Sequence, residues 1–300
     1  MNIAGSLQLG FIYSLLALGV FISFRVMNIP DLTADGSFTL GLAVSAVLCI
    51  AGHPFAALVL GMLAGALAGT VTGLLQTKAG IHPILAGILT MTGLYSINLS
   101  VMSGSPNLSL IGMPTIFAFA QGAFPGVERN ILRLAITFIL AAVCVAGLIW
   151  FFKTGAGLRI RAAGNNEKMA RASSINAEAV RVAAITLANA FIGLSGAVLA
   201  QYQGYADINS GAGIVIVGLA SVILGEIFPR RAGAGRGLIF AAAGALIYRL
   251  LIALVLHFNF FPAYMLRFVS AVIVALALAS PKIQAVWLSR KRNRRDAQRL

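Results

Sequence analysis

Acidic and sulfur chemistry is scarce in this chain. Of 300 residues only 8 are acidic, 3 are histidine and 2 are cysteine. So few groups leave little for acid–base, nucleophilic or metal chemistry. There is no His-x-x-His, no Cys-x-x-Cys and no Gly-x-x-x-x-Gly-Lys-Ser/Thr phosphate loop, and no catalytic or metal-binding cluster is expected. Cys49 and Cys144 both fall inside apolar runs, where cysteine serves as a small packing residue, so no disulfide is expected. Charge is also sparse, at 10% of residues, against about 25% in a soluble domain.

What the chain has instead is apolar length. Hydrophobic residues make up 59% and the mean hydropathy is +0.93. At about 20 apolar residues per crossing there is room for roughly eight to ten spans. Runs such as Phe55 to Leu75 are apolar or small on every face, which excludes the alternation of a transmembrane barrel. The expected class is all-α, a polytopic helix bundle. The stretch Ile3 to Phe24 lacks a preceding basic region and a small-residue cleavage site, so it reads as a retained first helix.

The formal net charge of +14 would suggest nucleic acid in a soluble protein, but its location argues for topology. Lys153, Arg159, Arg161, Lys168, Arg171 and Arg181 share one connection, and Arg230, Arg231 and Arg236 another. Lys282, Arg290, Lys291, Arg292, Arg294, Arg295 and Arg299 form the tail. Basic flanks mark the cytoplasmic side. Runs near 4–24, 36–51, 55–75, 83–102, 131–152, 182–203, 211–228, 237–256 and 263–281 then give nine crossings. The N-terminus is placed outside and the tail inside, and Arg129 and Arg133 are left near the outer surface. Residues 1–281 are expected to form the transmembrane domain, with a cytoplasmic segment at 153–181, and 282–300 a basic tail that rests on anionic lipid.

Four features stand out within this frame. Gly61, Gly65, Gly69 and Gly73 form one stripe of a helix, which reads first as intrachain packing and second as a dimer contact. Between the first two runs, Asn28-Ile29-Pro30-Asp31-Leu32-Thr33-Ala34-Asp35-Gly36-Ser37 reads as a helix break followed by a new N-terminus, since Pro30 disfavours helix at Ile29 and Asp31, Thr33 and Asp35 are capping types. Two readings stay open. Either the break lies in the bilayer, facing a cavity, with Asp31 and Asp35 sharing a face toward a cationic group, or it is a short cytoplasmic turn. The segment Thr154 to Arg181 is expected to hold a short cytoplasmic helix after Asn165-Asn166-Glu167, punctuated before it by Gly155, Gly157 and Gly164. That helix either rests on lipid headgroups or docks a subunit. Glu226 reads as an interface carboxylate paired with nearby arginines. Asn189, Gln201, Gln203 and Tyr205 either line a polar path or make interhelical hydrogen bonds, and His53, His82 and His257 lie at span ends.

Several of these segments together resemble the inner-membrane permease subunits of ATP-binding-cassette importers, the group of branched-chain amino-acid and ribose permeases. The loop Gly157-Leu158-Arg159-Ile160-Arg161-Ala162-Ala163-Gly164-Asn165-Asn166, then Ala170-Arg171, then Ile175-Asn176, is similar to that group's cytoplasmic signature, with Ser174 standing where the family has glycine. Ile12 to Gly19 resembles the opening helix. Phe24 to Phe38 and Gly218 to Glu226 look closest to the tryptophan/tyrosine-type branch or one of unassigned substrate. The resemblance implies a permease without its own ATPase, working by alternating access. Its partners would be cytoplasmic ATPase subunits, an extracytoplasmic solute-binding protein and a second permease copy or close homologue, and the permease itself would lie in the bacterial inner membrane. ATP and magnesium would bind the ATPase, with no cofactor in this chain. Coupling would fall to Gly164, Asn166, Glu167, Ala170, Arg171, Ile175 and Asn176, and the solute path to Asp31, Thr33, Asp35 and Ser37. A small polar solute such as an amino acid fits that break. The rivals are a stand-alone ion-coupled transporter or channel using Asp31 and Asp35, and a non-transporting membrane scaffold; neither requires the 157–176 loop.

Overall fold

The computed structural model describes residues 3–226 and 234–257, with Phe268, Ala271, Val272 and Ala275 beyond them. The proposed ninth run at 263–281, the tail, Arg230 and Arg231 lie outside the described residues, apart from those four positions. Helix α1 (Ile3–Val20) continues into a wide π turn at Phe21–Val26. It is followed by α2 (Thr33–Ile50), α3 (Pro54–Thr77), α4 (Pro83–Val101), α5 (Ile116–Ala123) and α6 (Arg129–Phe151). Two short helices, α7 (Gly155–Asn165) and α8 (Glu167–Ala172), lead to the long α9 (Ala177–Gln203), then α10 (Ile214–Glu226) and α11 (Ala234–His257). Eight of the described segments are long and apolar enough to cross a membrane. The exception to the all-α class is a two-stranded antiparallel ribbon of three residues a side, β1 (Asn107–Ser109) paired with β2 (Tyr205–Asp207), with Leu108 opposite Ala206.

The ends of the elements follow from local chemistry. Pro54 and Pro83 open α3 and α4, where a missing N–H costs nothing. Asn166 and Asn176 cap α8 and α9 by accepting from Met169 N and Ala179 N at 3.0 and 3.1 Å, and α9 stops at Gly204, which is left-handed.

Helix α9 is the centre of the bundle. Its residues from Ala188 to Gln201 are all buried, between α1, α2 and α3. The glycine stripe of α3 lies along it. A β-carbon at Gly61 would stand 2.7 Å from Ala197 Cβ, and one at Gly73 would stand 2.9 Å from Val182 Cα. From the other side, a β-carbon at Gly193 would meet Gly61 O at 2.7 Å and Gly65 Cα at 3.0 Å. Backbone-to-backbone approach of this kind is how helices gain dispersion contact in lipid, where the hydrophobic effect between helices is absent.

Contacts sort the connections into two ends. At one end Lys78 pairs with Glu178 at 3.3 Å, Glu226 pairs with Arg25, and Asn28 Nδ2 donates to Gly164 O at 3.1 Å. At the other, the ribbon joins the 103–128 connection to the 204–210 turn, Gln8 Nε2 donates to Asn130 O at 2.8 Å, and Gln201 Nε2 donates to Pro54 O at 2.9 Å. The alternation read from charge is therefore reproduced for the first seven crossings. Glu226 pairs with Arg25, from the π turn that follows α1.

Candidate functional site

The break after α1 turns back into the bundle. Asn28 is left-handed (φ 54°), residues 28–31 have no regular structure, and Leu32 turns the chain into α2 at Thr33. Asp31 is buried and accepts from Asn189 Nδ2 at 2.6 Å and from Thr33 N at 2.9 Å. Asn189 lies twelve residues into α9, roughly 18 Å along its axis at 1.5 Å per residue. The Asp31 end of the break thus lies inside the bundle, against the middle of α9, which speaks against the reading as a short cytoplasmic turn. The non-helical 28–32 segment carries the chain alongside α9 before α2 starts.

The two aspartates do not share a face, which corrects the other expectation for this pair. Asp31 precedes the first turn of α2, whereas Asp35 lies within it and points to α10. Asp35 Oδ2 accepts from Gly213 N at 2.8 Å and Oδ1 from Val215 N at 2.9 Å. A carboxylate thus caps the α10 N-terminus, where free N–H groups and the helix dipole favour negative charge. Thr33 is hydrogen-bonded to Thr72 at 2.8 Å, and Thr72 to Thr90 at 2.9 Å, a chain of hydroxyls across α2, α3 and α4. Ser37 is buried. Its Oγ, both polar atoms of Gln76, Asn98 Oδ1 and Asn189 Oδ1 have no hydrogen-bond partner among the described residues. Thr72, Gln76, Thr90 and Asn98 were missed by sequence reasoning. Their signal is a polar residue inside an apolar run.

The coupling candidates build the α7–α8 segment. Where the sequence suggested a glycine-punctuated loop, α7 is helical, begun by Thr154 and carrying Gly155, Gly157 and Gly164 within it. Gly164 packs directly on the Val26 and Met27 backbone, with no room for a β-carbon, so the segment sits hard against the break. Asn166 caps α8 and Asn176 caps α9. Ala170 is buried, and its carbonyl accepts from Ile175 N at 3.0 Å. Glu167 bridges Arg171 at 2.8 Å and Arg181 at 2.7 Å. The hydrogen bond from Arg171, together with the charges of both arginines, holds the Glu167 carboxyl below its usual range against an opposing desolvation. Ser174 is left-handed (φ 60°), the conformation that the family's glycine would adopt freely. Met169 and Leu158 are exposed at 67% and 47%, although both are apolar.

A second polar region occupies the other half of the bundle. Arg249, inside α11, lies over the Tyr13 ring at 4.1 Å. Arg133, expected near the surface, is half-buried over Tyr202 at 5.6 Å and Phe117 at 6.0 Å. Tyr202 donates its hydroxyl to Gln8 Oε1 at 2.8 Å. Arg249 was also missed by sequence reasoning, although a single arginine within the 237–256 apolar run is a clear signal. Gln201 makes interhelical hydrogen bonds, with Ser45 Oγ at 3.2 Å and Ile116 N at 2.9 Å, while Gln203 bonds locally to Tyr205 O.

A broken helix inside an apolar bundle, with a short amphiphilic pair of helices pressed on the break, is the anatomy of a membrane transport subunit. Comparison with known proteins decides which kind. Residues 2–278 match the family described as the permease component of branched-chain amino acid transport systems. This chain belongs to that permease family. Among its relatives, a tyrosine transport system permease protein of Clostridioides difficile is 37% identical over 71% of this chain and 69% of its own. An uncharacterized protein of Rickettsia prowazekii is 33% identical over 89% and 93%. The ribose import permease protein of Bacillus subtilis is 32% identical over 75% and 68%. No solved structure matches. The permease is thus a multi-pass inner-membrane subunit of an ATP-binding-cassette importer for small solutes, and it is a non-catalytic subunit. Membership implies an ATPase and a solute-binding protein as partners.

Proposed function

We propose that this permease moves an amino acid from an extracytoplasmic binding protein into the cytoplasm by alternating access, as half of a pair with a second copy or a close homologue. The observation that carries the proposal is the contact of α7 with the break: Gly164 seated on Val26 and Met27, and Asn28 Nδ2 bonded to Gly164 O. Force applied to α7–α8 is passed through this contact to the Asp31–Asn189 tie, and so to α2 and α9. Exposed Met169 and Leu158 offer the apolar surface on which a cytoplasmic ATPase docks, with ATP and magnesium held on that partner.

On this reading the end carrying α7 and α8 is cytoplasmic and the start of α1 is extracytoplasmic, in keeping with the basic flanks. Asp31 and Asp35 act as ties at the break, while Thr33, Ser37, Gln76 and Asn98 supply its unpaired or shared polar groups along the path. The name of the Clostridioides difficile relative makes tyrosine the first solute to screen.

The test is to purify the tagged permease from its native membrane in mild detergent with ATP and vanadate, and to identify what accompanies it. A stoichiometric cassette ATPase that is lost on Gly164→Leu supports the reading. A preparation without an ATPase after gentle crosslinking overturns it.

A further inference from the structure

Arg133 and Arg249 carry two positive charges into the apolar half of the bundle away from α7 and α8. Both Nε–H groups are buried and have no acceptor among the described residues. Every described carboxylate is engaged elsewhere: Glu128 with Asn130, Asp207 with Asn209 N, Glu178 with Lys78, Glu226 with Arg25, Glu167 with its two arginines, and the aspartates at the break. The rings do not fill the gap. Tyr13, Phe117 and Tyr202 lie 4.1 to 6.0 Å from the guanidinium carbons, and a ring supplies no oxygen acceptor and no negative charge to the five N–H donors. The two guanidiniums flank one stretch of α1: Arg133 lies over Tyr202, whose hydroxyl is bonded to Gln8, and Arg249 lies over Tyr13, about 7.5 Å further along the same helix. The Tyr202 phenol already spends its proton on Gln8, which in turn donates to Asn130 O, so this framework is held rigid beside the donors.

A charged group inside a span is expensive without a partner, and a planar fork of donors suits a carboxylate bidentately. We propose that Arg133 and Arg249 form a subsite for the carboxylate of the transported solute, at the half of the bundle that first meets it. This rests on the reading of the solute as an amino acid. At the break the aspartates already take up donors of their own chain, Asp35 at the α10 N-terminus and Asp31 at Thr33 N.

The experiment uses the full chain in phosphatidylcholine nanodiscs and phenylglyoxal, with modification of each arginine followed by mass spectrometry. A mixture of L-amino acids is expected to slow modification of Arg133 and Arg249 about fivefold or more, while the matching decarboxylated amines leave both rates unchanged. Arg171, exposed and paired with Glu167, reacts alike in every arm and serves as the reference. Arg249→Gln abolishes protection at Arg133, and Arg249→Lys, which keeps the charge, covers the case in which the glutamine variant loses yield. No protection by amino acids, or equal protection by the amines, overturns the proposal. So does protection by phosphatidylglycerol nanodiscs alone, which assigns the pair to a lipid headgroup. The importer reading is judged separately, by the co-purifying ATPase, which none of these arms touches.

Discussion

The break at residues 27–37 and the arginine pair near the opposite end both place charge inside an apolar bundle, and they settle it in opposite ways. Asp31 and Asp35 meet backbone and amide donors from their own chain, four hydrogen bonds in all between 2.6 and 2.9 Å. Arg133 and Arg249 meet aromatic faces and leave buried N–H groups unpaired among the described residues. Charges whose donors are built in hold elements in place. Charges left open are suited to a visitor that supplies the missing atoms. On the proposed reading, the difference separates a part of the permease that transmits motion from one that receives solute.

The contrast breaks first at stability. Asp31→Ala leaves Thr33 N and one of the two Asn189 Nδ2 hydrogens without an acceptor in an apolar setting, the other staying on Ile185 O, and is expected to destabilise the protein by about 2–3 kcal/mol. Arg249→Met removes an unpaired charge and a ring contact together, and is expected to stay within about 1 kcal/mol of the parent. Thermal unfolding of the purified proteins in one detergent measures both. If the two variants lose stability equally, the distinction between tie and receptor falls.

Asp35→Asn sharpens the same point. It keeps one acceptor for the α10 N-terminus and loses the charge and the second acceptor, for a cost of about 1–2 kcal/mol. Hydrogen exchange confined to Gly213 and Val215 N–H is its signature. An Asp35→Asn protein with parental exchange at those amides would show that the cap is not made.

Much of this was legible in the sequence. The spans follow from apolar length, because the bilayer demands it, and Pro30 with its flanking aspartates announces the break. The destination of Asp35 was not legible, since its partners lie 178 and 180 residues away and no local pattern encodes them. The glycine stripe announced a close approach, but only the fold identifies α9 as the neighbour. Gly157 and Gly164 suggested a loop on propensity, and the contact of Gly164 with Val26 and Met27 overrides that propensity because a helix without a β-carbon is what fits there. Arg249 was visible all along as a charge in an apolar run; what the run could not show was that no carboxylate among the described residues comes to meet it.

Two smaller effects belong to the coupling segment. Ser174→Gly relieves a left-handed residue after α8 and is expected to stabilise the permease by about 1 kcal/mol, read as a rise in unfolding temperature. Glu167 contributes less. Its lowered pKa means that its arginine bridges stabilise the segment above the ordinary value of 4.5, and that this contribution is lost as pH falls through the lowered one. Because the pairs are exposed, the amount is at most about 0.5 kcal/mol. A pH series on Glu167→Gln should therefore coincide with the parent at low pH and fall slightly below it near neutrality. A gap that grows as pH falls would reverse the assignment.

The central claim is tested most directly by ATP-driven uptake in proteoliposomes that hold the permease, its ATPase and its binding protein, with ATP hydrolysis measured in parallel. The account predicts that Arg249→Gln loses uptake of the captured solute by about tenfold or more while hydrolysis continues, and that Asp31→Asn reduces uptake and stimulated hydrolysis together. Parental uptake by Arg249→Gln, at parental yield, would contradict it.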